Sequence, residues 1–293
     1  MKLLLIILLA IFANSSVAFA EGNDSQWPLY IYDFGGYEAF PISEQVSMTK
    51  TSGYAGMIVG ITPDSLDEFD DYKAEADKTE DFDIHAAFYA LYNKEGKLVS
   101  GWKGVVDSIK GTDINLWLIT GRASDKVPES ELRTSISNVV SYANKRDVPV
   151  SLYPHSNNMI DNAEQAVRMI EELRPLKLDL AFILCHEMRY GNASRIEDVI
   201  RNVKDHIGHF VISGSDTNLD DGYQLGSRTL QPLYQGEFDM TRALKELVKI
   251  GYNGNMGYIN HRFDAAWKLT PSDYLSKSMT TYNNWLENLD SNP

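Results

Sequence analysis

The feature that most constrains the fold of this chain is a repeated alternation of short apolar segments with longer amphipathic ones. A continuous apolar segment is typical of a strand buried on both faces, which is how parallel strands lie beneath helices. Eight such units predict a closed (β/α)8 TIM barrel rather than an open doubly wound sheet. The predicted strands are residues 28–34, 56–61, 83–91, 114–119, 149–153, 180–184, 209–212 and 254–259.

The amino-terminal segment has the pattern of a secretory signal peptide. Lys2 supplies a positive charge, residues 3–13 are apolar, and residues 18–20 (Ala-Phe-Ala) form a small-x-small cleavage site. An uncleaved membrane anchor is the alternative, but an apolar core this short does not span a bilayer of about 30 Å. We therefore expect residues 1–20 to be removed and residues 21–293 to form one barrel domain. The mature protein would be secreted or periplasmic, without stable membrane insertion.

Charge and cysteine content narrow the range of partners. The formal net charge is −14, so the chain should repel nucleic-acid backbones and anionic membrane surfaces. The same charge argues against a multiply phosphorylated substrate. Cys185 is the only cysteine, which excludes an internal disulfide; we expect it to pack as a small apolar residue rather than act as a nucleophile. The sequence does not indicate an oligomeric state.

Polar residues follow several predicted strands, at the end where a barrel builds its active site. His155 follows the fifth strand and His186 the sixth. An imidazole titrates near neutral pH, so each is a candidate proton donor or acceptor. The alternative is a structural histidine bonded to a loop carbonyl. Asp216, after the seventh strand, could orient a histidine, act as a base, or simply form a turn.

Other polar residues at strand ends are candidates for holding a substrate. Arg122 and Arg189 could bind a carboxylate or sugar hydroxyls, although either could instead form a surface salt bridge. Asp33, Gln231 and His261 are further candidates for substrate contacts. Histidines at the opposite ends of the strands are expected to be structural, and these are His85, His206 and His209.

The second half of the chain contains six segments whose order and spacing resemble a known family. They are SLYPHSNN, FILCHEMRYG, VISGSD, LQPLYQGEFDM, GYNGNMGY and YLSKSMTTYNNW. Together they resemble the xylose isomerase-like TIM-barrel superfamily, often described as sugar phosphate isomerases and epimerases. A secreted bacterial branch is most similar, with Tyr-Pro-His after the fifth strand, Asn-Leu-Cys-His at the sixth and an Ile-Gln-Pro-Leu loop. The resemblance runs from about residue 148 to the C terminus and is weaker over residues 28–147.

The resemblance implies chemistry on sugars, but its metal ligands are not matched. Members of the superfamily hold a divalent metal with carboxylates and histidines at the ends of strands five to eight, a donor set that suits Mn, Mg, Co or Zn. His186 matches the histidine near strand six. The remaining positions carry Tyr153, Ile183, Ser213 and, at strand eight, Gly257, Tyr258 or Asn260. Without carboxylates a divalent cation would be poorly neutralised, so we expect no tightly bound metal and no other cofactor.

Three functions remain open from the sequence. The first is a secreted isomerase/epimerase or lyase/hydratase that transfers protons next to the carbonyl of a carbohydrate, with His155 and His186 as the acid/base pair. The secretory signal favours an unphosphorylated sugar or keto-sugar. The second is a carbohydrate-binding barrel that has lost its chemistry. The third is a metal isomerase with an unusual ligand set of His155, His186 and Asp216.

Overall fold

The strands close into one parallel barrel. The structure is a computed structural model that describes residues 27–217, 228–260 and 269–291. Each of the eight strands pairs with the next along the chain, and β8 pairs in parallel with β1. The predicted (β/α)8 TIM barrel is therefore confirmed. The strands are β1 (Leu29–Tyr32), β2 (Gly56–Gly60), β3 (Asp83–Ala90), β4 (Asn115–Ile119), β5 (Val150–Tyr153), β6 (Asp179–Ile183), β7 (Ile207–Ile212) and β8 (Met256–Tyr258).

Helices cover the outside of the barrel. Within the described ranges, none combines the length and the apolar character that crossing a membrane requires. The proposed signal peptide, and with it the start of the domain, lies outside the described residues and stays a prediction. The helices are α1 (Ile42–Thr51), α2 (Leu66–Asp77), α3 (Trp102–Ile109), α4 (Glu129–Asn144), α5 (Ala163–Glu172), α6 (Leu184–Tyr190), α7 (Ile196–Val203), α8 (Met240–Lys249) and α9 (Pro271–Ser291).

The sixth strand–helix unit differs from the prediction. The sequence suggested a strand reaching residue 184, whereas β6 ends at Ile183 and α6 follows at once. Gly191 ends α6 in the left-handed conformation, with φ of 94°, which glycine adopts without steric cost. The apolar run continues unbroken from strand into helix, so hydrophobic periodicity could not reveal the boundary. As a result, His186 lies on a helix and not on an extended segment.

Aromatic side chains fill the barrel interior. Trp117 on β4 is fully buried, and its ring centroid lies 6.2 Å from that of Tyr32 and 6.0 Å from that of Tyr153. On the other side it lies 5.2 Å from the ring of His209. A TIM-barrel interior is a packed core rather than a pore, and here Trp117 separates the two ends of that core.

The amino-terminal end of the interior carries a buried polar layer. His85 Nε2 lies 2.9 Å from His209 Nδ1, and Asn255 Nδ2 lies 3.2 Å from His85 Nδ1. Nearby, the Ser151 hydroxyl donates to Asn115 Oδ1 over 2.9 Å. Both histidines thus lie at the end of the barrel opposite the expected site, in agreement with their positions at strand starts. Burial lowers the pKa of His85 to about 4 and, together with the charge of His85, that of His209 to about 3.

Acid is expected to destabilise the fold through this histidine pair. Unfolded histidine has a pKa of about 6.5, so below that pH the unfolded chain binds protons that the folded chain does not. The stabilisation is therefore present above pH ~6.5 and is lost as the pH falls toward ~4. Urea unfolding across this range should show the native protein losing roughly 1–3 kcal/mol more than a His209→Gln variant.

A buried carboxyl at the same end of the barrel acts in the opposite direction. Burial raises the pKa of Asp179 to about 6, so below that value the folded chain binds more protons at this carboxyl than the unfolded chain does. The stabilisation that Asp179 contributes at low pH is therefore lost as the pH rises. The difference between native and variant curves, rather than the native curve alone, therefore isolates the histidines. His206→Gln is the control, because His206 pairs with Glu171 outside the barrel interior, at 2.8 Å. If the free energy of unfolding fell with pH by the same amount in the native protein and in His209→Gln, the histidine pair would not be the cause of the acid sensitivity.

Candidate active site at the carboxyl end of the barrel

Two histidines from neighbouring strands meet at the carboxyl end of the barrel. His155 follows β5 and is half-buried, whereas His186 lies in the first turn of α6 and is 2 % exposed. Because β5 and β6 are paired and α6 starts directly after β6, the two rings face each other with centroids 3.9 Å apart. The structure brings these two predicted residues together. Their role in proton transfer stays a prediction.

Ser156 holds both imidazole rings. His155 Nδ1 lies 2.9 Å from the carbonyl oxygen of Ser156, which can only accept a hydrogen bond. Nδ1 therefore carries the proton, and the neutral ring has its basic lone pair on Nε2. His186 Nδ1 lies 3.1 Å from the Ser156 hydroxyl, which can donate or accept. Sequence reasoning missed Ser156, and its only signal was its position directly after His155.

The floor beneath the histidines is aromatic and uncharged. The Tyr153 ring lies 5.8 Å from that of His186. Burial raises the pKa of the Tyr153 and Tyr32 phenols far above the usual value, so both remain neutral. Cys185 is fully buried in the same interior cluster, and burial raises the pKa of its thiol to about 11. The thiol is therefore protonated and packed, in line with the sequence interpretation.

Glu187 fixes the orientation of α6. Its side chain is fully buried, and Oε1 accepts a hydrogen bond from the backbone N–H of Ala163 at 2.7 Å. Oε2 accepts from Asn192 Nδ2 at 2.5 Å. Burial raises the pKa of this carboxyl to about 7. Glu187 thus ties α6 to the start of α5, which helps to hold His186 in place.

The segment 228–231 beside β7 contains the predicted site residue Gln231 and contacts two others, Asp216 and Arg189. Asp216 Oδ2 lies 2.9 Å from Arg228 Nε, in an ion pair. Gln231 Nε2 donates to the Arg228 carbonyl over 2.8 Å, and Arg189 Nε donates to Thr229 Oγ1 over 2.7 Å. The carboxylate of Asp216 therefore faces an arginine rather than an imidazole. The orienting role predicted for it has no support in this geometry.

Asp33 and Arg122 form hydrogen bonds with groups other than the two histidines. Asp33 Oδ2 accepts from the Gly60 N–H at 2.7 Å, beyond the end of β1. Burial raises the pKa of the Asp33 carboxyl to about 7. Arg122 is exposed at the rim, and its backbone N–H donates to Asp125 Oδ2 over 3.0 Å. His261 lies outside the described residues.

Asn260 is a buried polar residue that the sequence analysis considered only at a metal-ligand position of strand eight. It follows β8 and is fully buried, yet within the described ranges neither its amide nitrogen nor its oxygen has a hydrogen-bond partner. A Cβ built on Gly35 would lie 2.5 Å from its Nδ2, so the glycine makes room for the amide. Unmet buried polar groups cost about 1–3 kcal/mol each, which makes Asn260 a further candidate for ligand contact.

Among the described residues, the strand ends lack the carboxylates that the superfamily uses to hold a divalent metal. Buried Tyr153, Ile183, Ser213 and Asn260 occupy the places where the superfamily's carboxylate ligands were expected. The Ser213 hydroxyl is already committed, since it donates to the Thr229 carbonyl at 2.8 Å. Across the described part of the chain, no three His, Cys, Asp or Glu side chains cluster so that they could hold a metal ion. A neutral phenol, an alkyl group, a hydroxyl and an amide supply no negative charge, so they are a poor match for Mn, Mg, Co or Zn.

Comparison with known proteins identifies the family of this barrel. The signature of the xylose isomerase-like TIM barrel family matches residues 49–262. No curated protein matches the chain. A 3-keto-D-glucoside 4-epimerase from E. coli is similar in structure, with a TM-score of 0.65, 15% identity and coverage of 87% of this chain and 99% of the epimerase.

Two further solved structures show the same likeness. An L-ribulose 3-epimerase has a TM-score of 0.64 and 12% identity, with 90% of this chain and 96% of the epimerase covered. A probable 3-DHS dehydratase from Bacillus anthracis has a TM-score of 0.66 and 12% identity, with 88% and 98% covered. At such low identity the likeness concerns the fold.

Proposed function

The chain belongs to the xylose isomerase-like TIM barrel family, and we propose that it is a secreted, carbohydrate-active isomerase/epimerase or lyase/hydratase. The observation that carries the proposal is the pair of imidazoles, His155 and His186, with ring centroids 3.9 Å apart. They lie at the barrel end where TIM-barrel enzymes place their chemistry. The names of the similar structures, two sugar epimerases and a dehydratase, support carbohydrate-directed chemistry.

The two rings suit proton transfer next to a carbonyl. Neutral His155 has its lone pair on Nε2, so it can take a proton from the carbon beside the carbonyl. His186 can then return a proton at another position or face, which isomerises or epimerises the sugar. Protonation of a departing hydroxyl instead would complete an elimination. Each well-placed acid or base contributes about 10²–10⁴ in rate.

Three further features belong to the same proposal. The signal pattern in residues 1–20 supports a secreted or periplasmic protein. The net charge of −14 disfavours phosphorylated substrates. The donor set at the strand ends supports catalysis without a tightly bound metal. The alternative ligand set of His155, His186 and Asp216 is disfavoured by the Asp216–Arg228 ion pair, and a stoichiometric metal in the purified protein would restore it.

Hydrogen exchange with solvent tests the proposal directly. The purified full-length chain, with and without EDTA treatment, would be incubated in D₂O with unphosphorylated aldoses, ketoses and keto-sugars. We expect NMR to show deuterium entering the carbon next to the carbonyl of at least one sugar, equally with and without EDTA. Loss of exchange after EDTA, with recovery on adding metal, would contradict the metal-free mechanism.

The second candidate is a carbohydrate-binding barrel without chemistry. The lack of the superfamily's carboxylate ligands among the described residues at the strand ends favours it. A thermal-shift screen with the same sugars separates the two candidates. Stabilisation by a sugar that shows no exchange and no turnover would favour binding alone.

A further inference from the structure

Arg189 has no carboxylate counter-ion among the described residues, although the chain is strongly acidic. Most arginines in the described part of the chain form an ion pair with Asp or Glu. They are Arg133, Arg146, Arg174, Arg195, Arg201, Arg228 and Arg242. Arg189 has no such partner, although its side chain is partly buried. A partly buried charge without a partner is costly unless a ligand neutralises it.

Arg189 lies on the same helix as His186, one turn further along the chain. Arg189 is three residues after His186 on α6, and residues at this spacing share one face of a helix. Burial raises the pKa of the Tyr153 phenol and the Cys185 thiol, and the charge of Arg189 opposes both shifts. The positive charge therefore acts on the floor of the candidate site.

The guanidinium is held in place but not saturated. Nε donates to Thr229 Oγ1 over 2.7 Å, and Thr229 is fully buried. Nη2 is buried and has no hydrogen-bond partner among the described residues. An unmet N–H on a charged group costs more than the ~1–3 kcal/mol of a neutral one. One side of the guanidinium is thus fixed while the other is left for a ligand.

Nearby carboxylates are committed elsewhere. Both oxygens of Glu187 accept hydrogen bonds, from Ala163 and Asn192. Asp216 is paired with Arg228. Among the described residues, neither acid neutralises Arg189, which leaves its charge available to a carboxylate of a bound ligand.

We propose that Arg189 binds a carboxylate on the substrate, so that the sugar processed is a sugar acid such as a uronate, an aldonate or a keto acid. This inference rests on the proposed function and names its substrate class. A carboxylate matches the planar donor geometry of a guanidinium and neutralises its charge, which a sugar hydroxyl does not. A phosphate dianion would need further positive charge in a chain of net charge −14.

Binding of matched neutral and acidic sugars tests the inference. Titration calorimetry on the full-length protein would compare D-glucuronate with D-glucose, and D-gluconate with D-glucitol. We expect the carboxylates to bind more tightly by roughly 10- to 100-fold, the range of a hydrogen bond to a charged group. Added salt should weaken this preference.

Substitutions of Arg189 test whether this residue causes the preference for carboxylates over neutral sugars. Arg189→Met should abolish the preference for carboxylates without changing neutral-sugar affinity, and Arg189→Lys should retain part of it. Arg168→Gln is the matched control, because Arg168 is an exposed arginine on α5, and it should behave as native. Circular dichroism of each variant confirms folding, and Arg189→Lys keeps the test open if Arg189→Met does not fold.

The outcomes separate this inference from the proposed function. Equal binding of neutral and acidic sugars, unchanged by Arg189→Met, overturns the inference and leaves proton transfer untouched. Tighter binding of inorganic phosphate than of any carboxylate, lost in Arg189→Met, also overturns it. Arg189-dependent carboxylate binding without solvent exchange on any sugar acid supports the inference and removes the enzymatic function.

Discussion

Alanine at position 186 is expected to lower kcat/KM for solvent exchange by about 10²–10⁴. His186 is 2 % exposed and is held between the Tyr153 and His155 rings and the Ser156 hydroxyl. Removing the ring removes one of the two proton carriers while its surroundings stay in place. His155→Ala should show a loss of similar size. The rate of deuterium entry by NMR measures both.

The double variant and a distant histidine complete this experiment. His155→Ala with His186→Ala should lose little more than either single variant, because residues that act as a unit are non-additive. His206→Ala is the control and should keep native turnover, since His206 is paired with Glu171 away from the mouth. Full turnover in both single variants would show that the acid/base assignment is wrong.

Replacing Trp117 with alanine is expected to cause the largest loss of stability, about 3–5 kcal/mol, the range for removing a buried aromatic ring. Its side chain is fully buried and contacts aromatic rings toward both ends of the barrel. No smaller side chain can fill the space inside a closed ring of strands. Urea unfolding at pH ~7 measures the loss.

Trp102 provides the matched control for this substitution. It is half-buried on α3, with its ring 5.2 Å from that of Tyr142. Trp102→Ala leaves a site that solvent can reach, so its cost should be well below that of Trp117→Ala. If both variants lost a similar amount of unfolding free energy, packing in the barrel interior would not contribute more to stability than packing between the outer helices.

Most strands and helices could be predicted because burial leaves a local signal. A strand covered on both faces needs a continuous apolar segment, and a helix on a sheet needs apolar residues at its own spacing. Prediction and structure agree closely for β4, predicted at 114–119 and observed at Asn115–Ile119, and for β5, predicted at 149–153 and observed at Val150–Tyr153. The exception is α6, where strand and helix are both buried and share one apolar run, so the pattern contains no boundary.

The position of the candidate site could be predicted from the chain topology, but the contacts between its side chains could not. Topology alone places every strand end at one mouth, so the convergence of His155 and His186 followed from their positions after β5 and β6. Side-chain partners do not follow from position. Arg228, which binds Asp216, lies 12 residues away along the chain, and nothing in the sequence marks it as the partner.

The sequence by itself determined that this chain forms a closed (β/α)8 barrel and that imidazoles stand at the ends of two adjacent strands. Both conclusions rest on the local hydrophobic pattern and on the order of the predicted strands along the chain. Only the tertiary structure decided that His85 pairs with His209, 124 residues away, and that Ser156 contacts both histidines at the carboxyl end of the barrel. It also decided that no carboxylate among the described residues pairs with Arg189. These contacts depend on which side chains become neighbours when the barrel closes. They also depend on which polar groups compete for the same hydrogen-bond partner.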